Sequence, residues 1–199
     1  MLTCRTRDCK PCTDPDYEKG IMKFASNWLN DKEALLTGVA IDAGAHIGLW
    51  SLFLDSIYPV QREIIAIEPY TPNYQALCAN ASSSIRCFNN AVWNTERILG
   101  LKLDKHDARH YLVPAGIRER HTQCTSAITI DWLVGEKKID LLKLDIEGAE
   151  YQALQGAEHT LKNNDCLVIV EFCDAHFKRF NTNKKMVKNL LADWGFDFA

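Results

Sequence analysis

Apolar positions along the chain follow two alternating rhythms. Short, nearly continuous apolar runs occur at Gly38–Ile41, Glu63–Ile67, Ile85–Val92, Ile139–Leu144 and Leu167–Val170. Between and around them, apolar residues recur every three or four positions: Ile21, Phe24, Ala25, Trp28 and Leu29; the stretch Ile47–Ile57; Tyr74, Leu77, Cys78 and Ala81; Tyr151, Leu154, Ala157 and Leu161; Met186, Val187, Leu190, Leu191 and Trp194. The first rhythm predicts strands buried on both faces, the second amphipathic helices. Their alternation predicts an α/β fold with a mostly parallel central sheet and helices on both faces. Thr71-Pro72 reads as a helix start, with Thr as N-cap and Pro in the first turn. The stripe from Asp16 onward predicts an outer helix, and 149–162 a single helix.

Two segments break the rhythm. Residues 1–15 lack periodicity and read as an N-terminal arm, leaving 16–199 as one domain. Residues 94–130 hold alternating stretches, 98–103 and 127–130, around a polar segment. They predict edge strands and a variable, substrate-facing excursion, because loops on a rigid scaffold often carry recognition. A length of 199 residues suits one hydrophobic core.

Composition narrows the class. The apolar share of 47% and charged share of 25% are those of a globular protein. A formal net charge of −3 gives no electrostatic reason to expect nucleic acid or a membrane as partner. The longest uncharged apolar run, Ala43–Leu54, has 12 residues, against the roughly 20 of a spanning helix. The N-terminus lacks the apolar core of a secretory signal. Cys78, Cys87, Cys166 and Cys173 sit singly in apolar or helical stretches, as reduced thiols do. Cys4, Cys9 and Cys12 cluster, but Cys9-Lys-Pro-Cys12 has no second half, so no metal site is expected. A cytoplasmic protein, monomer or homodimer, is the expectation.

Chemistry concentrates where strands end. Asp42, Glu68, Asp145 and Glu171 each close an apolar run. In an open parallel sheet, ligands bind outside the carboxyl ends of the strands, near the switch point. Four acids on one rim point to a ligand rich in hydroxyl, amine or cationic groups. The first strand leads into Asp42-Ala43-Gly44-Ala45-His46-Ile47-Gly48, a glycine turn into a helix whose first N–H groups are expected to face a ligand. Its spacing is not the dinucleotide G-x-G-x-x-G. Glu68 follows Gly48 by 20 residues, a position suited to binding both hydroxyls of a ribose. Together these suggest an adenosine-containing cofactor.

Asp42-x-Gly44-x-His46-x-Gly48 resembles motif I of class I methyltransferases, with His46 at the middle glycine. The succession IDAGAHIGLWSL, IAIEPYTPNYQAL, NNAVWN, TIDWL, LLKLDIEGAEYQALQGA and LVIVEF resembles FkbM-type methyltransferases from about Ala40 to Phe172. The resemblance implies a Rossmann-like fold and S-adenosylmethionine as methyl donor, with transfer usually to oxygen and sometimes to nitrogen. It implies that Asp42, Gly44, Ala45, His46 and Gly48 line the cofactor. Glu68 and Pro69 lie at the ribose, Asn90 and Ala91 beside the adenine, and Asp145 and Glu147 at the methyl group and substrate. Such folds close with an antiparallel hairpin, here expected to be short or missing, because few residues follow Trp194.

In-line methyl transfer requires alignment, exclusion of water and removal of a proton from the acceptor. Asp145 and Glu147 are catalytic candidates; strand alternation sets them on opposite faces unless the strand has already turned, so one of the two is expected to reach the substrate. Lys143 reads as structural, needing a partner if buried. His46 is either a base near the cofactor or a packing residue at a helix start, and His176 could reach the rim. His106, His110, His121, Arg109, Arg118 and Arg120 read as a solvated face. The expected acceptor is the hydroxyl of a small molecule, sugar or natural product. An N-methylated peptide or protein amide, a nucleotide-sugar or NAD-dependent enzyme, and a non-catalytic binding module remain as alternatives.

Overall fold

A computed structural model describes residues 2–3, 15–32, 36–58, 62–104, 110–113 and 120–198. Cys4, Cys9, Cys12, His106, Arg109 and Arg118 lie outside them. The elements run β1 (Leu2–Thr3), α1 (Pro15–Lys32), β2 (Val39–Ala43), α2 (Leu49–Ile57), β3 (Ile64–Ile67), α3 (Thr71–Asn80), β4 (Ile85–Phe88) and β5 (Ala91–Val92). There follow β6 (Arg97–Lys102), β7 (Tyr111–Val113), β8 (Thr122–Ile128), α4 (Ile130–Val134), β9 (Ile139–Leu144), α5 (Glu150–Gln155), α6 (Glu158–Lys162), β10 (Leu167–Val170), α7 (Asp174–Phe177) and α8 (Lys184–Asp193).

The main sheet has the order β1-β10-β9-β2-β3-β4, and every pairing in it is parallel. Strand order reverses between β2 and β9, so a crevice opens where these two strands end. The period of two sorts the side chains. Ala40, Ile64, Ala66, Leu141, Leu167 and Ile169 face a core closed by Ala25 and Leu29 of α1, Trp50 and Leu54 of α2, and Leu77 of α3. Val39, Ile41, Ala43, Ile65, Ile67, Leu142, Leu144, Val168 and Val170 face the other core, closed by α4, α5, α6 and α8. The continuous apolar runs are thus strands clothed on both faces, as expected. Among the described residues, an isolated bridge at Phe198 follows α8 and no final hairpin forms. The edge beside β10 holds Leu2–Thr3, within the expected arm.

Three elements differ from their sequence-based expectation. The single strand expected over 85–92 divides. Asn89 and Asn90 interrupt it, and β5 leaves β4 to pair with β8 in a second sheet of order β5-β8-β6-β7. The excursion therefore builds a sheet of its own, with Leu99, Leu101, Leu112 and Ala127 packing on Ala91 and Ala149. The helix expected over 149–162 divides at Gly156. A Cβ there would stand 2.2 Å from the Trp93 carbonyl oxygen. Asp131 then caps α6, accepting from the N–H groups of His159 (3.1 Å) and Thr160 (2.8 Å). Finally, Tyr70 and not Thr71 is the N-cap of α3; the Thr71 hydroxyl donates to Asn89.

No helix among the described residues is long and apolar enough to cross a membrane. Cys78, Cys87, Cys124, Cys166 and Cys173 are in no disulfide, and no cluster of metal-ligating side chains occurs among the described residues.

Candidate functional site

The crevice is framed by three turns at the carboxyl ends of β2, β3 and β9. Gly44, at φ +77°, lets the first turn pass under the third: a Cβ there would lie 1.9 Å from the Asp145 carbonyl oxygen. The N–H groups of this turn are engaged within the protein. Those of Gly44 (2.9 Å) and Ala45 (3.0 Å) donate to the Ile67 carbonyl, and that of Gly48 donates to Ala45 (2.8 Å). His46 has φ +51°, and its N–H donates to Glu68 Oε2 at 2.9 Å.

Glu68 is 6% exposed and receives a second backbone N–H, from Tyr70 to Oε1 at 2.9 Å. Asn89, which the sequence did not single out, donates to the carbonyls of Glu68 (2.9 Å) and Pro69 (3.2 Å) and fixes this corner. Burial raises the Glu68 pKa to about 7, against the pull of the two N–H donors. Asn90 Nδ2 donates to the Ser126 carbonyl at 3.3 Å, and Ala91 is buried in β5. Both stand where the main sheet hands the chain to the second.

Beneath the crevice lies a buried ion pair. Asp42 is sealed from solvent; its Oδ2 accepts from Ser51 at 2.8 Å and its Oδ1 contacts Lys143 Nζ at 3.1 Å. The two residues are register partners on β2 and β9, so strand pairing delivers the contact. Lys143 also reaches Asp145 Oδ2 at 3.5 Å. Burial alone pushes a lysine pKa down, yet Asp42 and Asp145 hold Lys143 above its ordinary value. Lys143 thus has the partner its burial requires, and Asp42 faces the crevice only through it.

The third turn gathers acids from different elements. Glu147 has φ +59° and Gly148 φ +108°, so the backbone has left the strand rhythm. Asp145 and Glu147 consequently share one cluster with Glu171: the strand has already turned, the exception that the expectation of opposite faces allowed. A Cβ on Gly148 would lie 2.4 Å from the His176 carbonyl oxygen, so the missing side chain admits α7. His176 Nδ1 then sits 3.1 Å from Glu147 Oε2 and 3.7 Å from Glu171 Oε2. Arg179 Nη1 donates to the Glu147 carbonyl at 2.8 Å and its guanidinium stacks 4.1 Å from the Tyr111 ring of β7. Tyr70 packs edge-on against His110. Through these contacts the second sheet forms a wall beside the rim.

Electrostatics divides this cluster. Burial raises Glu147 to about 7; His176 opposes the rise, while Glu171 and Asp145 add to it. Glu150, 1% exposed, accepts from the N–H groups of Ile146 (3.1 Å) and Gly148 (3.2 Å), and its Oε2 has no hydrogen-bond partner among the described residues. Burial, reinforced by Glu171, raises it to about 8. Burial also raises Asp145, with Lys143 opposing and Glu171 adding; 41% of its side chain is accessible, so water softens the rise. Glu171 shifts the other way, since hydrogen bonding and charge from His176, then Asp145 and Lys143, outweigh its burial.

The structure brings together Gly44, His46, Glu68, Asp145 and Glu147, with Asp42 below and Asn90 and Ala91 at the sheet junction. Glu150, Tyr70 and Asn89 lie in the stretches that carry the family resemblance without being singled out there, and Arg179 lies beyond them.

"Methyltransferase sdnD" of Sordaria araneosa is 26% identical over 196 residues, covering 80% of this chain and 73% of its own. "Methyltransferase 1" of Beauveria bassiana is 24% identical over 186 residues, covering 80% and 72%. The solved methyltransferase FkbM of Methylobacillus flagellatus superposes with a TM-score of 0.55 at 20% identity. That likeness concerns the fold; it covers 79% of this chain, which spans 37% of the solved one. The sequence model of the FkbM methyltransferase domain matches residues 42–198, from the first acid of the crevice to the end of the described chain. On that match the chain belongs to the FkbM methyltransferase family.

Proposed function

We propose that the chain is an S-adenosylmethionine-dependent methyltransferase acting on a hydroxyl of a small-molecule, sugar or natural-product-like acceptor. The observation that carries the cofactor is Glu68. Its carboxyl closes β3 beside the switch point, and two backbone N–H groups hold both its oxygens in place. The oxygens keep lone pairs with which to accept a pair of ribose hydroxyls. The donor set suits the rest of the group, since a sulfonium and an α-ammonium are cations and the adjoining rim carries Asp145, Glu147 and Glu171.

In this reading Gly44, Ala45, His46 and Gly48 form the floor under the ribose and methionine, and Asp42 fixes Lys143 below it. Pro69, Asn90 and Ala91 border the adenine. Asp145 stands nearest the reacting centre, with Glu147 beside it. When bound, S-adenosylmethionine supplies an electrophilic methyl group for in-line displacement. The protein's own contribution is to orient both partners, exclude water and receive the acceptor's proton. The hydroxyl preference rests on this carboxylate-rich rim, which offers acceptors to an O–H donor.

Calorimetry with S-adenosylhomocysteine tests the cofactor: wild type is expected to bind, and Glu68→Ala to bind at least about tenfold more weakly. Absence of binding to wild type removes the cofactor, and equal binding by both removes the role of Glu68. A coupled S-adenosylhomocysteine assay over hydroxyl and amide acceptors tests the acceptor atom.

A further inference from the structure

The third turn needs a support that strand pairing does not supply. β9 ends at Leu144, and Asp145 keeps one tie to the sheet, its N–H donating to the Ala43 carbonyl at 3.2 Å. Beyond it the backbone turns left-handed at Glu147 and Gly148, at φ +59° and +108°. A residue with a Cβ stays in that region only where its surroundings hold it. The same departure takes the Ile146 and Gly148 N–H groups out of the strand ladder, and a buried N–H without a partner is costly. Glu150, the first residue of α5, answers both needs by running its side chain back along the chain. Its Oε1 accepts from the N–H of Ile146 at 3.1 Å and from that of Gly148 at 3.2 Å. N–H groups two residues apart converge on one oxygen here because Glu147 curls left-handed between them. The contact is sealed from solvent at Glu150, whereas Asp145 is open to water. Arg179 adds a hold on the Glu147 carbonyl, and Gly148 lies against the backbone of α7.

We propose that Glu150 is a positioning residue, whose carboxyl oxygen holds the Ile146–Gly148 backbone in the curl that presents Asp145 and Glu147 together to the positive end of the methyl donor. This deepens the proposed function and rests on it. In this role Glu150 touches neither cofactor nor acceptor, and its contribution is geometric. Without the shared oxygen, the Ile146 and Gly148 N–H groups seek other acceptors, Glu147 relaxes toward extended backbone, and its side chain leaves that of Asp145. The two carboxyl groups then no longer meet the sulfonium as a pair. Glu150 needs no charge for this, because the carbonyl oxygen of a neutral carboxyl or of a carboxamide accepts both hydrogen bonds. Its pKa of about 8 keeps it neutral near pH 7, so it adds no buried negative charge beside the rim.

Two measurements test this without a known acceptor. S-adenosylmethionine carries the sulfonium charge that S-adenosylhomocysteine lacks, so the ratio of their dissociation constants reports how the acids meet the sulfur. Both are titrated at about pH 6.5, where wild-type Glu150 is neutral like its amide replacement. Glu150→Gln is expected to keep the wild-type ratio within about twofold, and Glu150→Leu to shift it at least about tenfold against S-adenosylmethionine. An unshifted ratio in Glu150→Leu overturns the proposal, as does an equal loss of both ligands, the mark of a merely structural role. A ratio that Glu150→Gln fails to restore overturns it too. Failure of wild type to bind S-adenosylhomocysteine overturns the cofactor reading itself, so the two failures are distinct. The second measurement needs no variant to fold: spectra of the Glu150 carboxyl carbon and of the Ile146 and Gly148 amide protons in wild type, from about pH 6 to 10. Both amide protons are expected to move with the carboxyl carbon at one midpoint, because an ionised acceptor strengthens its hydrogen bonds. Amide signals that stay still while the carboxyl titrates overturn the proposal.

Discussion

A carboxyl withdrawn from water keeps its proton to higher pH, and Glu150 is almost wholly withdrawn. Its pKa of about 8 in the folded chain compares with 4.5 for the ordinary group. The folded state therefore binds the proton more tightly than the unfolded state. The stability this confers is complete below about pH 4.5 and is lost as pH rises through about 8. Glu150→Gln keeps an oxygen for the Ile146 and Gly148 N–H groups but cannot ionise. We expect the variant to melt progressively above wild type as pH is raised from about 6 to 9, by about 1–2 kcal/mol at the alkaline end. Thermal melts across that range check it, and a gap that ignores pH refutes it. The residue also marks what sequence reading reaches. Asp145, Glu147 and Glu150 are visible as neighbours in the chain, but burial and left-handed backbone at Glu147 decide which of them meets solvent. Neither has a local sequence signature.

At the scale of elements, the strands of the main sheet were legible because burial on both faces writes itself as an unbroken apolar run. Where the expectation failed, tertiary contact outweighed local pattern. The residues of α5 and α6 share one helical periodicity, and the break at Gly156 falls where the Trp93 carbonyl packs close and Asp131 takes up the Gly156 carbonyl and the first N–H groups of α6. The division of 85–92 has the same origin, since Val92 pairs with Ile128 from a strand more than thirty residues on. Gly156→Ala is expected to destabilise the protein by about 2 kcal/mol or more, because backbone on both sides of the contact must move. Gly20→Ala supplies the contrast. Gly20 lies inside α1, with open space where a Cβ would go. The substitution there should stabilise by about 0.5–1 kcal/mol. Urea denaturation of the two variants against wild type measures both, and similar values for the pair discount the packing argument.

Over the whole molecule, the parallel topology and the position of the crevice follow from strand order, which the alternation of elements already implied. The second sheet does not follow from it. Its strands read as excursion because their alternating pattern is short, and their partners are set by antiparallel pairing that no single segment encodes. The same folding that builds the rim also alters how many charges the chain carries. The formal net charge of −3 counts every acid as ionised. In the folded chain Glu68 and Glu147 titrate at about 7 and Glu150 at about 8, so near neutrality a good part of that negative charge is absent. The protein thus has two isoelectric points, one for each state. Focused in urea, the chain should band near its sequence value of about 6.1, and focused native it should band at higher pH. Coincident bands would mean that these acids ionise as they do in water. The crevice is, in this sense, a small reservoir of protons that the unfolded chain does not hold.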